Sequence, residues 1–237
     1  MNVINYTFDT DGVGEMNYTF KPAISKVLSV HVRSENHQVL MNIEVESVFD
    51  GDDLTAFNDF FLNWAVAFGF EFSVPVRELR NCGHSLPRKE GARNYQLNLG
   101  PITFSVPRKP MTPSEERLNH VSASSLQVTS EQLIYLRQFA FANSESDAIS
   151  RFSFLYNLLL QMSGDEQAKV NSSILKIAPD CEQSISPLNR KPETVYTRLR
   201  NELAHKRQGT RYSETKLEIS SNIDEFSELV KEIIKRF

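Results

Sequence analysis

The segment PETVYTRLRNELAHKRQG, Pro192 to Gly209, decides how the second half of this 237-residue chain reads. Val195, Leu199 and Leu203 recur every four residues, the spacing of one buried helix face, with Pro192 in the first turn and Gly209 as the stop. Asn201 and His205 are also four apart and share a second face, with Arg200 one step around it. The expectation is a helix that turns Arg200, Asn201 and His205 outward together, flanked by the cationic side chains of Arg198, Lys206 and Arg207. A polar pair inside a cationic rim is what a phosphate group seeks.

The neighbouring sequence also reads as helical. TSEQLIYLRQFAFAN starts with Thr129 or Ser130 as N-cap, and SESDAISRFSFLYNLLLQMSG has Ser144 and Asp147 as capping residues and Gly164 as a stop. DEQAKVNSSILKIA is a shorter helix ended by Pro179, and SNIDEFSELVKEIIKRF carries Ile223, Phe226, Leu229, Val230, Ile233 and Ile234 on one face. Four main helices and a shorter one predict a bundle over 126–237.

The first half has another period. KVLSVHVRS and HQVLMNIEVESVF alternate apolar and polar residues as half-buried strands do, followed by a helix in DDLTAFNDFFLNWAVAFGF. FEFSVPV and NYQLNLGPITFSVP read as further strands, joined by the basic loop 80–93, which reads as a solvated hairpin connection in preference to an RNA contact with Tyr95 as a stacking base. The proline-rich stretch 107–125 reads as a linker. The expected class is therefore α+β: a mixed module over 1–106, the linker, and the all-α bundle.

Composition narrows the functional classes. Hydrophobic residues at 40% and charged residues at 24% fit a globular protein. No run is long and apolar enough for a bilayer, and MNVINYTFDTDG has no basic flank before an apolar block, so neither membrane nor secretory leader is expected. Cys82 and Cys181, far apart in sequence, suggest reduced thiols and a cytoplasmic setting. A net charge of −4 is a weak argument against nucleic acid, but 77–93 and 189–211 are locally basic. No metal or cofactor is expected: Cys82 and His84 lack a second ligand pair, DTDG at 9–12 does not complete a calcium loop, and TDGVGE lacks the spacing of a phosphate-binding loop.

The stretch ETVYTRLRNELAHKR, on the penultimate helix of a C-terminal bundle, resembles the signature of the HEPN superfamily: Arg, a polar residue, a short spacer and His. Arg200, Asn201 and His205 match it, with Glu202, Leu203 and Ala204 as spacer, and ISRFSFLYNLLLQMSGDE is similar to the preceding part of HEPN proteins of the MauJ-like and prokaryotic defence kinds. The resemblance covers 126–237 only. It implies metal-independent cleavage of RNA in a cleft shared by two protomers. In HEPN toxins with nucleotidyltransferase antitoxins a Tyr stands two residues beyond the motif His, where this chain has Arg207.

The residues support that chemistry on their own terms. Breaking RNA without a metal uses the 2′-OH as nucleophile and needs a base, an acid and a cation for the crowded phosphorane. His205 suits base or acid, Arg200 can hold two phosphate oxygens, and Asn201 can orient substrate or imidazole. One chain offers one such His, so a second imidazole calls for a homodimer built through this helix. The alternative is a non-catalytic nucleotide- or RNA-binding and dimerisation module acting as sensor or adaptor.

Overall fold

The computed structural model describes residues 2–35, 37–47, 49–85, 111–205 and 210–237. The chain divides into two compact units, Met1–Leu133 and Ile134–Phe237. The architecture is α+β, with an antiparallel sheet in the first unit and helices dominating the second. Among the described residues no helix is long and apolar enough to cross a membrane.

In the first unit β1 (Asn2–Asp9), β2 (Asn17–Phe20), β3 (Val27–Glu35), β4 (Gln38–Val45) and β5 (Arg77–Ser85) form one sheet in the order β2-β3-β4-β1-β5. Every pairing is antiparallel. The period-two pattern works as expected in β4, where Val39, Met41, Ile43 and Val45 are fully buried. Helix α1 (Gly51–Phe72) packs its aromatic stripe into the same core, with Phe61 stacked on Tyr6 at 4.5 Å and Trp64 stacked on Phe68 at 5.2 Å. Each ring buried this way contributes roughly 1.5–3 kcal/mol relative to exposure. Asp50 starts the helix through a reciprocal capping box with Asp53.

FEFSVPV is not a strand. Phe70 and Phe72 complete α1, and Phe72 meets Phe68 at 4.7 Å, because residues four apart on a helix also bury aromatics that a period of two would pair. Ser73 then takes a left-handed conformation at φ 52°, and the Val74 N–H donates to the Gly69 carbonyl. Gly69 permits this return: a Cβ there would come within 2.6 Å of Val76 Cγ2. The expected loop 80–93 is corrected as well, since Arg80–Ser85 belong to β5. Its remainder, Tyr95 and the expected strand NYQLNLGPITFSVP lie outside the described residues.

The expected linker 107–125 contains helix α2 (Glu115–Ser124), which is part of the first unit. It docks on α1 through Leu118 and Val121, both buried, and Ser122 Oγ accepts the Trp64 Nε1 hydrogen at 3.1 Å. The Tyr18 hydroxyl donates to Asn119 Oδ1 at 2.7 Å, and Arg117 Nε to Glu71 Oε1 at 2.8 Å. So polar a helix is held by specific partners rather than by an apolar stripe, and periodicity does not reveal it.

The helices that follow are α3 (Ser130–Ser144), α4 (Ala148–Met162), α5 (Gln167–Ile177), α6 (Val195–Ala204) and α7 (Tyr212–Lys235). A two-stranded hairpin, β6 (Gln183–Ile185) and β7 (Pro192–Thr194), stands between α5 and α6. Thr129 caps α3 and Asp147 caps α4, whereas Ser144 ends α3. All six apolar positions expected on the face of α7 are buried, with Phe226 against Phe152 at 4.9 Å and Tyr196 at 4.5 Å. Asn143 Oδ1, accepting from Arg151 Nε and Ser227 Oγ at 3.0 Å each, ties α3, α4 and α7 together at a buried polar point.

Candidate functional site

Helix α6 is shorter than its sequence pattern. Pro192 belongs to β7, and the N-cap is Thr194, whose hydroxyl accepts from the Thr197 N–H. At the other end the helix stops at Ala204. His205 is already extended at φ −136° and ψ 132°, its N–H donating to the Asn201 carbonyl at 2.9 Å. Gly209, the expected stop, lies outside the described residues.

The three motif side chains line one cleft of about 550 Å³ in the second unit, formed by α5, the hairpin and α6. They do not project equally. His205 is exposed and Arg200 half-buried, but Asn201 is buried, which corrects the expectation that all three stand outward. Spacing alone places Asn201 and His205 on one face; it carries no information that β7 and α5 cover the near end of that face.

The Asn201 carboxamide joins three elements. Its Nδ2 donates to Glu193 Oε2 at 3.0 Å, while its Oδ1 accepts from Gln167 Nε2 at 2.9 Å and from Arg200 Nη1 at 3.1 Å. A carboxylate can only accept and a guanidinium can only donate, so the two ends of the amide are assigned by its neighbours. Asn201 thus touches Arg200 from below and holds it. Apart from that bond the Arg200 guanidinium has no partner among the described residues. Four of its five N–H donors remain for an anion.

Arg198 differs. Its guanidinium donates to Glu202 at 3.1 Å and to Glu218, and Glu202 also accepts from the Thr215 hydroxyl at 2.8 Å. Its charge is neutralised within the fold, and it does not line the cleft. Lys206 and Arg207 lie outside the described residues.

Beneath Arg200 is a second polar chain. The fully buried Tyr156 hydroxyl shares a 2.8 Å hydrogen bond with Thr197 Oγ1, which donates to Asn171 Oδ1 at 2.6 Å. Thr194 Oγ1 donates to the same Asn171 oxygen at 3.0 Å. Burial pushes the Tyr156 hydroxyl above its ordinary pKa, and the Thr197 bond and the positive field of Arg200 oppose it. The one Thr197 hydroxyl hydrogen goes to Asn171, so the Tyr156 hydroxyl donates to Thr197 Oγ1.

Sequence reasoning missed Glu193, Gln167, Asn171 and Thr197. Glu193 stands eight residues before Asn201 and marks no helical face. The one local signal was the pair Gln167 and Asn171, two carboxamides four apart on α5. Elsewhere, Cys82 is an exposed thiol and Cys181 a partly buried one, both free. Among the described residues no three His, Cys, Asp or Glu side chains gather as a metal site. No protein-family model, curated protein or solved structure matches this chain.

Proposed function

We propose that the second unit is a HEPN-type, metal-independent endoribonuclease, cleaving RNA by attack of its own 2′-OH at a site completed by a second protomer. The observation that carries this reading is Arg200: a guanidinium with no carboxylate partner among the described residues, in the same cleft as the exposed imidazole of His205, on a helix where the neighbouring Arg198 is engaged by two carboxylates.

In this mechanism one imidazole takes the 2′-OH proton as the oxygen attacks phosphorus. A second protonates the departing 5′-oxygen, leaving a 2′,3′-cyclic phosphate and a free 5′-OH. Arg200 stabilises the phosphorane oxygens through two parallel N–H donors. His205 of each protomer supplies one imidazole, since a two-fold interface presents every residue twice. Asn201 acts by positioning Arg200, with Glu193 holding the amide in turn. Lys206 and Arg207 add charge along the phosphate backbone.

The test is incubation of single-stranded RNA in EDTA with wild type, Arg200→Ala and His205→Ala. Cleavage should persist under chelation in wild type, yield 2′,3′-cyclic ends, and fall at least about 100-fold in each variant. Activity that disappears with EDTA, or survives both substitutions, contradicts the reading. Burial of Asn201 favours a second reading, a non-catalytic nucleotide- or RNA-binding module, because the amide of that motif member is committed to Glu193, Gln167 and Arg200. Saturable RNA binding by wild type without product is its signature.

A further inference from the structure

The cleft holds more than the motif. Asn171 Oδ1 accepts from both Thr194 Oγ1 and Thr197 Oγ1, and from the Thr194 backbone N–H at 3.4 Å, a group that can only donate. That fixes the orientation of the amide and leaves its Nδ2 without a partner among the described residues. Gln167 is turned the other way. Glu193 sets Asn201, the Asn201 oxygen takes the Gln167 Nε2 hydrogen, and Gln167 Oε1 is left without a partner among the described residues. Both residues line the cleft and lie one helical turn apart on α5.

One wall of the cleft thus offers a hydrogen-bond donor on Asn171 and an acceptor on Gln167, oriented by their bonds to Thr194, Thr197 and Asn201, which line the same cleft. Leu175, Leu188 and Pro192 add apolar surface to the same cleft. Its volume of about 550 Å³ lies within the range of about 300–1,000 Å³ typical of small-molecule sites. A donor, an acceptor and apolar surface beside a phosphate-binding Arg match the parts of a nucleotide: base edge, ring face and phosphate.

Resting on the ribonuclease reading, we propose that the α5 wall is a subsite for one unstacked base of single-stranded RNA, its edge read by Gln167 Oε1 and Asn171 Nδ2 while Arg200 holds the adjoining phosphate. Bases stacked within a duplex do not reach side chains recessed in a cleft, so the substrate is single-stranded at this position.

The test separates the subsite from the chemistry. Fluorescence anisotropy measures binding of four labelled homopolymeric ribo-oligomers, 2′-O-methylated so that no attack occurs, to wild type, Asn171→Asp and Gln167→Leu. Asn171→Asp keeps the oxygen that Thr194 and Thr197 need and replaces the free donor by an acceptor, so the order of preference among bases is the readout rather than affinity. Gln167→Leu provides a second variant should Asn171→Asp not fold.

The expected result is discrimination of about tenfold among the bases by wild type, a changed order in Asn171→Asp and a flattened one in Gln167→Leu. Equal binding of all four oligomers, no binding of any, or an order unchanged in both variants overturns the subsite. Unmodified RNA incubated in parallel reports on the enzyme alone. Discrimination without cleavage leaves the subsite standing and removes the nuclease, and cleavage without discrimination does the reverse.

Discussion

Asn201 Nδ2 donates to Glu193 Oε2 across 3.0 Å, and this bond, together with the Arg200 Nη1 hydrogen on Oδ1, sets which way the motif amide faces. With its nitrogen committed to the carboxylate, its oxygen faces Arg200 and Gln167. Glu193→Ala leaves a buried amide donor unpaired, which costs about 1–3 kcal/mol in the second unit. It also releases the Asn201 amide that holds Arg200, so the proposed cleavage of RNA should fall about tenfold. Glu193→Gln keeps an acceptor oxygen and should restore most of both. Urea denaturation and kcat/KM on one RNA measure the two effects, and an alanine variant matching wild type in both would remove Glu193 from the account.

Arg198 and Arg200 are two residues apart, yet Arg198 pairs with two carboxylates and Arg200 bonds only Asn201 among the described residues, so the proposed function gives them opposite roles. Arg198→Ala removes the partner of Glu202 and Glu218, so its effect belongs to stability, about 1–3 kcal/mol for a half-buried, hydrogen-bonded charge. RNA affinity should change less than about twofold. Arg200→Ala should do the reverse. Filter binding beside thermal melts of the two variants distinguishes them, and a large RNA effect from Arg198→Ala would contradict the assignment.

The chain has one tryptophan, and it sits in the first unit with its Nε1 on Ser122. Intrinsic tryptophan fluorescence therefore follows that unit alone. Ser122→Ala orphans the buried indole donor and should destabilise the unit by about 1–3 kcal/mol. The tryptophan-detected urea midpoint should fall, and an unchanged midpoint would show that α2 does not depend on this bond.

Asp147 caps α4, accepting from the Ser150 N–H at 2.8 Å, and this bond is the main cause holding its pKa below the ordinary aspartate value. A depressed carboxyl pKa stabilises the fold above the unfolded value of about 4, and the contribution is lost as pH falls through the folded one. Asp147→Ala should cost about 1 kcal/mol near pH 7, with the gap to wild type closing below about pH 4. Urea melts at several pH values measure this; a gap constant with pH would mean that the charge is not what caps the helix.

Much of this fold was legible because it rests on apolar periodicity. The inward residues of β4, the aromatic stripe of α1 and the buried face of α7 each follow one period, and each packs as expected. What escaped was held together by polar geometry. Helix α2 buries two aliphatic side chains and depends on Ser122 and Asn119, and the end of α1 turns on a left-handed Ser73 that alternation disguised as strand. The site divides the same way. Arg200 and His205 stand close together in the sequence, but Glu193 and Gln167 come from other elements and meet Asn201, and Asn171 meets Thr194 and Thr197, only after folding.

Subunit mixing reads whether the proposed reaction site takes residues from two protomers. Wild type is mixed with increasing proportions of the Arg200→Ala/His205→Ala double variant, exchanged to equilibrium, and assayed for RNA cleavage in EDTA. A shared site predicts that activity falls as the square of the wild-type fraction, because a mixed dimer lacks half of its catalytic groups. A linear fall, with each chain acting alone, would contradict it.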